Sequence, residues 1–198
     1  MSVSTVQIAN FALSKIGDES TIESLTEESA QAKQCNLWYA FARRKTLAAF
    51  SWSFARKRAT LALHNDDPPT EWAYRYRYPD DCVSARLLEN PSGRDADPVP
   101  FEVEQSDDGT RSFFFNDTAT TEIYTKEETN TTRYSDWFVE CFATMLASHI
   151  ALPLSGKPNF ARYLEDRAIL MARFAEALDA NEGSDAPPRD ADHIRGRE

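Results

Sequence analysis

The period of the hydrophobic pattern changes twice along this chain of 198 residues, and that limits the folds open to it. Near the start, Val6, Ile8, Ala9, Ala12, Leu13 and Ile16 recur at helical spacing, with Gly17 placed as a helix stop. This gives a helix over about residues 3–16. A second helical stripe over about 27–50 carries Ala30, Leu37, Trp38, Phe41, Ala42, Leu47 and Ala48, and Thr26 to Ser29 supplies N-cap chemistry. From about 55 to 125 the period falls to two, punctuated by Pro, Asp and Asn. Strands are expected at 58–63, 72–78, 83–88, 99–104 and 111–115, with Asp107-Asp108-Gly109 as a hairpin turn. Helical spacing returns over about 135–152, closed by Pro153 and Gly156, and over about 159–181. The expectation is an α+β fold: a bundle of about four helices with a central β-rich extension. Residues 1–183 read as a single domain and 184–198 as a flexible polar tail. Trp38, Phe41, Trp52, Phe54, Trp137 and Phe138 are the expected structural core.

With 41% hydrophobic residues the chain can bury a core, and its net charge of −10 argues against general nucleic-acid binding. Cys35, Cys82 and Cys141 are far apart and read as reduced, buried thiols. The first residues lack the basic and apolar regions of a signal peptide. No stretch reaches the ~18 consecutive apolar residues expected of a membrane span.

Catalytic and metal signals are weak. His64, His149 and His193 have no second ligand at helical spacing, and the six glycines form no phosphate loop. Asp80 and Asp81 after Pro79 fit a strand-edge turn better than a magnesium site. A hydrolase built on Cys141 and His149 would need a second segment between them, because two helical turns separate the pair. The expectation is no enzyme, no cofactor and no metal. The alternation Trp72, Tyr74, Tyr76, Tyr78 admits two readings. It can stack single-stranded bases while Arg75 and Arg77 hold phosphates, or it can be an aromatic core face with a basic outer face. The acidic balance favours the second. Arg43, Arg44, Lys45, Arg56, Lys57 and Arg58 gather near the end of the second helix, while Glu102, Glu104, Asp107 and Asp108 lie on the β extension. Opposite signs on two faces make Arg43, Arg44, Lys45, Arg56 and Arg58 candidates for an interface with another subunit or a partner protein.

The segments ANFALSKIGDESTIESL, FARRKTLAAFSWSFARKRATLAL, YPDDCVSARLL and DWFVECFATMLASHIALPLSGKP occur in this order. Together they resemble the tail tubular protein A, or head-to-tail adaptor, family of short-tailed phages, over about residues 5–180. The Trp52–Phe54–Ala55 step and the Tyr78 to Cys82 corner carry the likeness most specifically. It implies a helical bundle with a β-rich extension and a dodecameric ring of identical copies between the portal protein and the tail nozzle protein. Genomic DNA would pass through the ring without sequence-specific binding. It also implies a place in the virion tail at the portal vertex, after assembly in the host cytoplasm, and a portal-contacting tail that includes Asp185, Arg189, Ile194 and Arg195. The chain departs from the family pattern around 116–133. Within it, 116–125 (NDTATTEIYT) resembles the in-frame translation of a sequencing-adapter oligonucleotide, while its Thr, Ile and Tyr equally suit a β segment; no functional expectation rests on it. The competing class is a single-stranded nucleic-acid binding module.

Overall fold

A computed structural model describes residues 3–92, 97–106, 109–116 and 121–180. The fold is α+β, as the change of period implies. Among the described residues four helices, α1 (Thr5–Lys15), α2 (Ala30–Ala49), α3 (Asp136–Ser155) and α4 (Pro158–Ala180), flank six strands. These are β1 (Arg56–Thr60), β2 (Tyr74–Arg77), β3 (Cys82–Glu89), β4 (Glu102–Gln105), β5 (Arg111–Phe115) and β6 (Thr121–Lys126). They form two antiparallel sheets, in the orders β1-β6-β3 and β2-β5-β4.

Local chemistry sets most helix ends. Ser4 and Gln7 make a reciprocal capping box at the start of α1. Gly17, at φ +78°, closes that helix while Asp18 N–H donates to the Leu13 carbonyl, the longer bond of a Schellman turn. The sequence places the start of α2 near residue 27; the helix begins at Ala30. Glu27 instead accepts the backbone N–H groups of Glu23 and Ser24 and the Ser29 hydroxyl, which holds a turn, and Ser29 is the N-cap. Pro153 does not end α3. It lies in the last turn, where one missing donor is tolerated, and Gly156 at φ +68° ends the helix. Pro158 opens α4 at the first helical position, where its fixed φ suits the turn.

Strand ends shift by a few residues from the alternation. β1 starts at Arg56 rather than 58, and β2 covers only the middle of the 72–78 run. β6 lies mostly within the 116–125 run, for which a Thr-rich β segment is one of two readings, and it is the central strand of its sheet, paired with both β1 and β3. The turn residues Asp107 and Asp108 lie outside the described residues. Gly109, at φ +84°, lies between β4 and β5, which pair antiparallel.

Two apolar cores result. The larger is built on α3, which is buried on nearly every side from residue 138 to 151 and packs against α1, α2 and α4. By length and composition α3 is apolar enough to cross a membrane, which the sequence reading did not anticipate. Its position at the centre of the bundle accounts for that composition. The smaller core joins the sheets through Leu61, Leu88, Val99, Phe113 and Phe115, flanked by Tyr74, Tyr76 and Tyr78.

Of the expected core residues, Trp52 and Phe138 are fully buried, and Trp38 and Phe54 pack half-buried against the bundle. Phe41 and Trp137 are corrections: they are 54% and 42% exposed. The face that α2 turns to α3 carries Ala32, Cys35, Tyr39 and Ala42. Small side chains let the two helices approach closely, so the bulky Phe41 is left on the flank.

The bundle and the β extension meet at the end of α2. Trp52 donates its indole N–H to the Thr46 carbonyl (2.9 Å) and packs edge-on against Phe50 and Phe138. Arg86 of β3 donates to the carbonyls of Ala48 (2.9 Å) and Phe50 (2.7 Å), and through Nε to the Thr125 hydroxyl (2.9 Å). Trp52→Ala is expected to cost about 3–5 kcal/mol in urea denaturation, the range for a buried aromatic. Arg86→Met should cost about 1–3 kcal/mol by stranding those carbonyls, with loss of helical circular dichroism accompanying loss of the β signal. A loss below about 0.5 kcal/mol would show that solvent replaces the guanidinium freely.

Candidate assembly surfaces

The basic cluster near the end of α2 is largely paired within the chain. Arg43 and Arg44 both reach Glu127, each at 2.8 Å, and Lys45 bonds Glu165 of α4. Lys57 bonds Asp81 (2.8 Å), Arg58 approaches Glu89 (3.3 Å), and Arg56 reaches only the Ser51 carbonyl. Arg43 is the most enclosed of these, with its side chain 14% exposed, so it acts first as a structural partner of Glu127. Arg44, Arg56 and Arg58 remain at the surface. The tail candidates Asp185, Arg189, Ile194 and Arg195 lie outside the described residues.

Large apolar side chains stand exposed on several faces of the bundle, among them Leu152 of α3 and Tyr163, Ile169, Leu170 and Phe174 of α4. On one side α2 presents Leu37 (65% exposed) and Phe41, and Phe41 packs against Trp38 and His149. On another, α1 presents Phe11 (47% exposed), and Trp137 of α3 meets Phe174 of α4 edge-on at 5.7 Å. The helical repeat separates these sides. Glu140 approaches Lys15 of α1 (3.7 Å), while His149 stacks on Trp38 of α2 at 4.8 Å. Those two α3 residues are nine positions apart, about half a turn in azimuth at 3.6 residues per turn. The sequence pattern assigns Phe41 and Trp137 to the core and does not single out Phe11. Only the order of packing around α3 shows which flanks are left open.

The aromatic strand is a packing surface. Tyr76 stacks on Phe115 (5.3 Å), Tyr78 on Phe113 (5.0 Å), and Tyr74 leans on Phe115. Arg75 is drawn into the protein, donating to Ser112 and Ser106 and lying over the Phe114 ring. The Tyr78 to Cys82 corner turns through a Cys82 N–H to Pro79 carbonyl bond. Asp81 spends both carboxylate oxygens on Lys57 and the Tyr124 hydroxyl. Burial acts to raise the Asp81 carboxyl, and those two bonds outweigh it and hold it below the usual range. In the same cleft Glu122 is buried with one oxygen unpartnered, and burial, then Asp81, pushes its carboxyl up to about 7. Glu122 lies inside the 116–125 run and carries no functional reading.

Cys141 and His149 do not meet. They are eight residues apart on α3, about 12 Å along its axis, and burial first, then Glu140, pushes the Cys141 thiol up to about 12, which makes it a poor nucleophile. Among the described residues no group of three or more His, Cys, Asp or Glu is placed to hold a metal ion. No protein-family model matches this chain, and a search of curated proteins finds no match either.

His149 makes the α2 flank sensitive to acid. Burial lowers its pKa below 6.5, Lys45 adds to the effect and Glu165 opposes it. The unfolded chain therefore binds a proton on His149 before the folded chain does. Stability is full above pH ~7 and falls as the pH drops through the unfolded value of ~6.5. His149→Phe, which keeps a ring against Trp38, is expected to flatten the stability profile between pH ~7 and ~5. An unchanged slope in urea titrations across that window would count against a neutral, enclosed His149.

Proposed function

We propose that this chain is a structural head-to-tail adaptor of a short-tailed phage virion. Copies form a closed ring, expected to be dodecameric, between the portal protein and the tail nozzle protein, and extend the DNA channel. The observation that carries this reading is the exposure of large apolar side chains on separate faces of one helical bundle, the α2 flank with Leu37 and Phe41 and the α1 side with Phe11 among them. A lone subunit would leave both patches in water, at a cost that association removes. Two different patches on opposite sides suit a heterologous contact, in which one face of each copy meets a different face of the next, and such contacts close into rings. The family resemblance supplies the place of that ring in the virion.

The charge balance agrees with the role. A net charge of −10 suits a channel wall that DNA slides past without sticking, because phosphates gain nothing from it. The work is mechanical: the subunit makes and breaks no covalent bond, and the ring completes the channel. The packed aromatic strand and the internally engaged Arg75 do not favour the single-strand binding alternative, which needs ring faces open to bases.

Mixing the full chain with the portal oligomer of the same phage and measuring the mass of the complex tests this reading. The expected mass equals the portal plus a full ring of this chain. A chain that stays monomeric beside the portal sinks the assignment. In the same assay Arg44→Glu should impair assembly while the monomer stays folded. Arg43→Glu should destabilise the monomer itself, because it sets a carboxylate against Glu127 in a confined site.

A further inference from the structure

We infer that the α2 flank of one copy docks in the groove between α1 and α3 of the next copy. This rests on the ring reading above and names the surfaces that join it. The groove is an open cavity of about 540 Å³, with Val3, Phe11, Val139 and Ala143 as its apolar lining. Two carboxylates, Asp136 and Glu140, and one ammonium, Lys15, stand at it, which leaves it net negative. The α2 flank is its complement. Leu37 and Phe41 project from it one helical turn apart, with Arg44 and Lys33 beyond them on the same exposed line; Lys33 is paired with Glu28 (2.6 Å), so the positive excess lies at the Arg44 end. Arg43 and Arg44 share the single carboxylate of Glu127, so that end of the flank is net positive.

Size agrees with charge. From Leu37 to Arg44 is about 10 Å along a helix, and the α1 residues that line the groove, Gln7 to Lys15, span about 12 Å. Direction agrees as well. The groove lies on the α1 side of α3 and the docking flank on the α2 side, about half a turn away. When one copy fills its neighbour's groove, its own groove stays open for another copy, so the contact propagates head to tail. The other occupant within reach of chemistry is the segment 181–198 of the same chain. It is the weaker fit because Ile194 is its one large aliphatic side chain.

Cysteine cross-linking of the full chain tests the pairing. Cys35, Cys82 and Cys141 are buried, so engineered surface thiols report without a background. The double variant Leu37→Cys with Phe11→Cys, oxidised in concentrated solution, is expected to give a ladder of dimers, trimers and higher species on a non-reducing gel. An equal mixture of the two single variants should give dimers and nothing larger, and each single variant alone should stay monomeric. Ala40→Cys, also exposed on α2, replaces Leu37→Cys if that variant fails to fold. Absence of a ladder, or dimers from either single variant alone, overturns the pairing. The portal-complex mass separates the two failures. A full ring with no ladder leaves the adaptor reading standing on another interface, and a monomer with no ladder removes both.

Discussion

The joint at the end of α2 is the constraint on which the rest of the chain depends. Phe50 leaves the helix in an extended conformation, with no glycine to turn the last carbonyls inward. Those carbonyls would be stranded at the boundary between two apolar cores. Arg86 reaches across from β3 and takes them, and its charge meets the negative end of the helix dipole. Trp52 takes the Thr46 carbonyl from the other side. One guanidinium and one indole thus fix the direction in which the chain enters β1, and with it the placement of the sheets on the bundle.

The second determinant is the helix at the centre. α3 is apolar on nearly all sides, so it must be wrapped. Three helices do the wrapping, α1, α2 and α4, and contacts are sparse between α1 and α4. Close approach of α2 depends on small residues on its inner face, which pushes Leu37 and Phe41 to the flank. The exposed patches are therefore a consequence of how the core closes. The exposed flanks and the buried core arise from the same packing.

The least consistent place in the fold is the cleft beside the Tyr78 to Cys82 corner. There Asp81, Lys57 and Tyr124 satisfy one another, while Glu122 is enclosed with an oxygen unpartnered. An enclosed carboxyl without partners raises its pKa and weakens the sheet that holds it. It sits on β6, inside the 116–125 run. The corner itself owes its shape to the Pro79 turn and to Asp81.

The sequence by itself determined the elements and their class. Periodicity of 3.6 at both ends and of two between them needs no tertiary information, because side chains on a helix or strand repeat at those intervals whatever they pack against. Ser4, Gly17, Gly156 and Pro158 mark their boundaries through backbone chemistry local to a few residues. Burial was less legible. Trp52 and Phe138 read correctly as core, but Phe41 and Trp137 carry the same hydrophobic signal and end at the surface. What decides between them is which helix faces which, a relation between residues 37 positions apart for Trp137 and Phe174 and 108 apart for Phe41 and His149. The cations at 43–45 and 56–58 read as a free patch for the same reason: their partners Glu127, Glu165, Asp81 and Glu89 are remote in sequence. Only the tertiary structure could bring those charges together, and only it could show which apolar residues are left over at the surface.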